Sequence, residues 1–143
     1  MLDQLLVGGA VSVGNITIHA LVMTLVVLAA RATAQRRTTR PSLRLTGVMI
    51  VTVLVLMAAH TSEVMVWALA YMLVDAVPVG TNLVYFAFVN YTTLGYGDVI
   101  PAPDWQLLGP MTAMNGVLLF GWSTAVIFEV LRRAMHQAVI SNV

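Results

Sequence analysis

This chain contains no cysteine and no lysine, and charged side chains of any kind make up only 9% of its 143 residues. Without cysteine, disulfides and thiolate metal sites are excluded, and the redox compartment leaves no mark on the sequence. The shortage of charge excludes more. A soluble domain carries roughly a quarter charged residues. Here 59% of the residues are hydrophobic and the mean hydropathy is +0.90, so the chain cannot cover itself with a solvated surface. Three histidines, no cysteine and no nucleophile elbow leave no set of residues suited to catalysis, and an enzyme is not expected. Basic patches interleaved with aromatics are missing too, which excludes nucleic acid as a partner.

What is present is apolar sequence in runs. Four can be drawn: Leu5 to Ala30, Leu43 to Val74, Leu83 to Tyr91, and Trp105 to Leu131. The first, second and fourth exceed the ~20 residues that a spanning helix needs, and the third falls far short. A short apolar helix followed by a glycine-rich stretch predicts a re-entrant segment. Irregular backbone at membrane depth is stable only where protein or water surrounds it. The sequence shows no internal repeat and no low-complexity tract.

All seven basic residues are arginines, and they fall in two places. Arg31, Arg36, Arg37, Arg40 and Arg44 flank or occupy the first connection, and Arg132 and Arg133 follow the last run. The positive-inside rule puts both groups in the cytoplasm, with the N-terminus outside and the re-entrant segment entering from the outer face. Residues 1–34 are not expected to be a cleaved signal peptide despite the small residues Ala32-Thr33-Ala34. The apolar run is too long, and its N-terminal flank carries Asp3 with no basic residue. Nor do the arginines suit a voltage sensor, because they sit in a polar linker broken by Pro41 and not at every third position of a spanning helix.

Between the short run and the last long one lies Thr92-Thr93-Leu94-Gly95-Tyr96-Gly97-Asp98. A strand whose carbonyls all point to one side needs residues that tolerate positive φ, and Gly95 and Gly97 supply them. This heptapeptide closely resembles the signature of the potassium channel family, with Leu94 where valine or isoleucine is more usual. The resemblance covers residues 45–133. It implies that carbonyls of Thr93, Leu94, Gly95, Tyr96 and Gly97 form an ion-binding filter, with K+ held at Thr93, Leu94, Gly95 and Tyr96. One chain supplies one filter strand, so a closed cage implies a homotetramer surrounded by membrane lipid. Potassium is the permeant ligand, and no other cofactor is expected.

The neighbouring residues take roles from the same resemblance. Thr81 or Asn82 is a candidate N-cap for the short pore helix, whose partly negative C-terminus near Thr92 would favour a cation. Tyr85, Phe86, Tyr91 and Thr92 are expected to pack around the filter and hold its width. Asp98 has two readings: it concentrates cations at the outer mouth, or it hydrogen-bonds behind the strand. Many members of the family pair this aspartate with a pore-helix glutamate, and a gapless match puts Val89 there instead. In the last helix, Gly116 falls at or beside the family's glycine hinge, although Gly116 and Gly121 equally suit close helix contact. Leu118, Gly121, Ala125 and Glu129 share a face, and the resemblance turns that face toward a water-filled cavity. Glu129 then contributes to a charged ring at the inner entrance, or pairs with Arg132 or Arg133.

A last set of polar residues has no place in a minimal pore. Ser12, Asn15 and His19 share one face of the first helix, and His60, Glu63 and Trp67 share one face of the second. At ~1.5 Å per residue from the cytoplasmic ends, His19 lies ~18 Å deep and His60 ~22 Å, so the two faces nearly match in depth. Ionisable groups facing lipid are costly. The faces are therefore expected to meet in a hydrogen-bonded cluster that braces the pore helix, with either a structural role or a proton-sensing one. Small bacterial channel-like proteins with a comparable outer helix are similar in carrying His, Glu and Trp at these spacings.

The expected product is an all-α membrane protein with three transmembrane helices, a re-entrant pore helix and a selectivity filter, assembled as a tetrameric channel. Residues 1–31 form an additional N-terminal helix, 32–44 a cytoplasmic arginine-rich linker, 45–133 the pore domain and 134–143 a short cytoplasmic tail with no room for a sensing domain. The bacterial inner membrane is the expected location. Two other functions remain open at this stage: a potassium-binding subunit of an active transporter, and a non-conducting membrane scaffold.

Overall fold

The computed structural model describes residues 1–34 and 40–140. Within them lie four α-helices, α1 (Leu2–Ala34), α2 (Pro41–Leu73), α3 (Leu83–Tyr91) and α4 (Leu108–Ile140), with a 3₁₀ turn at Pro103–Trp105 before α4. No strand occurs among the described residues. α1, α2 and α4 each contain a stretch long and apolar enough to cross a membrane, whereas α3 has nine residues. Their lipid-facing sides explain the many exposed leucines, valines and methionines of an unpartnered chain.

The contacts fix the topology. Asn15 of α1 meets Asn115 of α4, and His19 meets Ser123, so α1 and α4 run in the same direction. Trp67 meets Asn115 and His60 meets Ser123, so α2 runs antiparallel to both. α3 wedges between α2 and α4. Phe86 packs edge-on against Tyr71 at 4.9 Å, and the last residue, Tyr91, reaches Glu63 near the middle of the bundle. A buried apolar layer around Trp67, Tyr71, Phe86 and Leu108 fills the end that holds α3. A second layer of Met23, Val26, Leu56, Val126 and Val130 closes the opposite end.

The ends of the elements differ in part from those read off the sequence. α3 has the expected bounds because Asn82, at its N-cap, accepts from the Tyr85 amide at 3.0 Å. The long helices extend past their apolar cores, because backbone hydrogen bonding continues where hydrophobicity stops. Pro41 does not break a linker. It opens α2, at a position where the missing N–H costs nothing. Arg44 consequently lies inside α2 and Arg40 at its cap, and of the expected 32–44 linker, residues 35–39 lie outside the described residues. The expected tail from 134 onward is helical up to Ile140. Trp105 sits in the 3₁₀ turn and not at the start of α4, whose approach is held by Gln4 of α1 accepting from the Leu107 amide at 2.8 Å.

Candidate functional site

The segment after α3 is built around one carboxyl-end cap. Thr93 has φ of 60°, a left-handed value that costs a non-glycine residue about 1 kcal/mol. The backbone hydrogen bonds show what offsets it. The Thr93 amide donates to Asn90 O at 2.9 Å and the Leu94 amide to Val89 O at 2.9 Å, the paired bonds of a Schellman cap. The Thr92 amide and hydroxyl both donate to Phe88 O, and the Gly95 amide also reaches Val89 O at 3.3 Å. Four successive amides, Thr92 to Gly95, thus point back into α3. No carbonyl from Thr92 to Asp98 accepts a hydrogen bond among the described residues.

Gly95 and Gly97 carry φ of 55° and 77°, so left-handed residues alternate at positions 93, 95 and 97. The segment is irregular and not the strand read from sequence; the alternation is what remains of that expectation. Leu94 and Tyr96 are 54% and 67% exposed in the single chain, and Gly95 and Gly97 would meet nothing with an added Cβ. Asp98 accepts a hydrogen bond from the Tyr85 hydroxyl at 2.9 Å. That bond keeps the Tyr85 phenol above its ordinary pKa. Asp98 therefore pairs with Tyr85 and not with position 89, where the Val89 side chain is buried and its carbonyl serves the cap.

Phe86 and Tyr91 do not pack on this segment as expected. The Leu83–Tyr91 helix turns Phe86 toward Tyr71 of α2, and Tyr91 inward to a polar cluster. Gly116 of α4 lies directly against the Tyr91 carbonyl, leaving no room for a Cβ, so it is a contact glycine in this chain. Gly121 meets nothing, and Leu118, Gly121 and Ala125 form an exposed stripe on α4. Glu129, one turn further along, is paired within its own helix: Arg132 Nη2 lies at 2.8 Å, and Arg133 Nε also donates to it.

The buried polar residues meet in the middle of the bundle. His19 Nδ1 lies 2.8 Å from Glu63 Oε1, and His60 Nδ1 lies 3.0 Å from Glu63 Oε2. The Tyr91 hydroxyl donates to Glu63 Oε2 and lies 3.0 Å from His60 Nδ1. Ser123 Oγ faces both outer ring nitrogens, 2.9 Å from His60 Nε2 and 3.4 Å from His19 Nε2. Asn15 Nδ2 donates to the Glu63 carbonyl and to Asn115 Oδ1, which also accepts from Trp67 Nε1 at 3.0 Å. Ser12 stays outside this network, its hydroxyl buried with no hydrogen-bond partner among the described residues. His19, Glu63, Asn15 and Trp67 are fully buried.

Sequence reasoning put Tyr91 elsewhere and passed over Asn115 and Ser123. On α4 the buried polar residues Thr112, Asn115 and Ser123 share one stripe, adjacent to the stripe of Leu118 and Gly121. Polar positions spaced by three and eight in an apolar helix were the available signal. Tyr71 completes the set, its hydroxyl 2.5 Å from Thr112 Oγ1.

Three spanning-length apolar helices, with a short helix and an irregular loop inserted between the second and third, define an integral membrane protein. The model of the ion channel family matches residues 48–133, more than half of the chain, and the chain belongs to that family. No curated protein and no solved structure matches it.

Proposed function

We propose that four copies of this chain assemble around a central axis and conduct potassium passively through a filter made of residues 93–97. One observation carries this reading. The amides of Thr92 to Gly95 are spent on the α3 carbonyls, while the carbonyls of the same four residues have no partner among the described residues. Over Thr92 to Gly95 the donors are consumed and the acceptors free, an arrangement that repels anions and attracts cations. The carbonyls of Thr93, Leu94, Gly95 and Tyr96, repeated fourfold, replace the water shell of K+. The left-handed residues at alternate positions support this reading, because a segment with its carbonyls turned to one side needs positive φ at intervals.

The remaining parts support that reading. α3 reaches mid-bundle at Tyr91, so the segment that follows it begins at mid-bundle depth. The exposed stripe of Leu118, Gly121 and Ala125 offers a cavity wall, and Glu129 marks its inner end. The exposure of Leu94 and Tyr96 leaves room for neighbouring chains. With the arginine clusters inside, the N-terminus is outside and the C-terminus cytoplasmic, in the bacterial inner membrane.

The test is Gly95→Ala. At φ of 55° an added methyl is strained, although the chain itself leaves it space. Liposomes carrying the variant are expected to lose potassium flux with assembly retained. Undiminished selective flux would refute the filter assignment.

A further inference from the structure

The hydrogens of the His–Glu–His cluster close in one of two ways, around shared protons or around a metal ion. A serine hydroxyl has one hydrogen and two acceptor lone pairs. Ser123 Oγ faces the Nε2 atoms of both His19 and His60. If both Nε2 atoms carried lone pairs, one hydrogen would have to serve two acceptors inside a membrane. If both carry hydrogens, the two lone pairs of Ser123 accept them both. That tautomer leaves a bare lone pair on each Nδ1. Both Nδ1 atoms point at Glu63, 2.8 and 3.0 Å from its oxygens, so acceptors face acceptors. In that arrangement a cation lies between them; protons alone close the network only when one histidine is an imidazolium, with one Nε2 donating to Ser123 and Ser123 donating to the other.

We propose that His19, His60, Glu63 and Tyr91 form a closed four-coordinate site for a zinc-class divalent metal ion. The donor atoms of His19, His60 and Glu63 all lie within 4.8 Å of one another. The Tyr91 oxygen, 3.0 Å from His60 Nδ1 and bonded to Glu63, supplies the fourth donor. Two imidazoles with two oxygens suit a borderline metal over a hard one, and four ligands with no open position suit a structural site over a catalytic one. Charge also closes. A divalent ion with the Glu63 carboxylate and a Tyr91 phenolate is neutral, which a membrane interior demands. The phenol proton leaves to solvent as the metal enters. Ser123 accepts from the far nitrogen of each histidine, the outer hydrogen bond that metal-bound imidazoles characteristically make. Trp122 and Phe120 pack against the two rings, with centroids 5.4 Å from His19 and 4.5 Å from His60. The ion would tie α1 and α2 to the last residue of α3, two positions before the proposed filter, and this inference stands whether or not that segment selects potassium.

The full chain, purified without chelator, is expected to carry about one zinc ion per chain. Chain produced in zinc-depleted, cobalt-supplemented medium is expected to show the visible absorption of tetrahedral Co2+. His19→Gln and Glu63→Gln remove that absorption, and Ser123→Ala weakens cobalt affinity by roughly 10- to 100-fold. Wild-type protein with neither stoichiometric metal nor cobalt absorption overturns the proposal, whether or not the variants fold; protons, with one histidine as imidazolium, would then hold the network. Cobalt absorption that persists in both His19→Gln and Glu63→Gln overturns it equally, since the metal would be bound elsewhere.

Discussion

The phenol of Tyr91 donates its hydrogen to Glu63, joining the last residue of α3 to the middle of α2. Tyr91 is also the residue whose carbonyl bears on Gly116 and whose successors cap α3 and begin the loop. One side chain therefore couples the buried polar cluster to the segment at positions 92–98. Tyr91→Phe keeps the ring and its edge contact with Phe120 at 5.4 Å but removes the hydroxyl. The Glu63 oxygen it served then has only His60. The expected loss is about 1–3 kcal/mol, read as a lower thermal midpoint of the metal-free, chelator-treated protein in detergent, where Tyr91 is a phenol. An unchanged midpoint would show that the bond contributes nothing to holding α3.

Gly116 and Gly121 separate two uses of glycine. A Cβ at Gly116 would collide with the Tyr91 carbonyl, and backbone cannot yield as a flexible side chain can. Gly116→Ala is expected to cost about 1–3 kcal/mol by overpacking. Gly121→Ala meets nothing within the chain and is expected to leave thermal stability within about 0.5 kcal/mol. Equal melting of the two variants would contradict the contact role of Gly116.

Tyr85 and Asp98 are expected to act as one unit. Tyr85→Phe frees Asp98 from its only side-chain partner among the described residues, so the outer end of the loop loses its tie to α3. Sustained potassium currents should decay faster in Tyr85→Phe, and Asp98→Asn should add little further effect in the double variant. Fully additive effects on the decay rate would show that the two residues act independently.

The natural absence of cysteine makes orientation directly testable. Leu2 is 69% exposed at the start of α1. Leu2→Cys should react with an impermeant thiol reagent added outside intact cells, and Thr38→Cys should not. The reverse labelling pattern would invert the topology and remove the loop from the outer face.

Much of this was legible in sequence because membranes restrict the choices. A nine-residue apolar run between turn residues cannot span, and Asn82 marks its start, so α3 has the bounds that composition suggests. The ends of α1, α2 and α4 were not legible, since a helix runs on through Arg31, Arg44 and Arg132 once it leaves the hydrocarbon. The approach of His19 to Glu63 followed from depth and from the cost of stranding a charge in lipid. The part of Tyr91 did not, because an aromatic in an apolar helix packs equally well in either direction. Ser123 and Asn115 were hidden for a similar reason: a serine or asparagine in a spanning helix can satisfy itself locally, and only the neighbouring helices show that these do not. Pro41 misled because a proline ends a helix or starts one, and the residues around it favoured neither.

The proposed filter requires that the carbonyls of residues 93–97, free of partners among the described residues, select potassium. The most direct measurement is the reversal potential of single channels in a planar bilayer, with potassium on one side and sodium on the other. A potassium-selective filter gives a reversal displaced far toward the potassium equilibrium potential in the wild-type protein, and no unitary current in Gly95→Ala. A wild-type reversal near zero, or currents in Gly95→Ala indistinguishable from wild type, would contradict it.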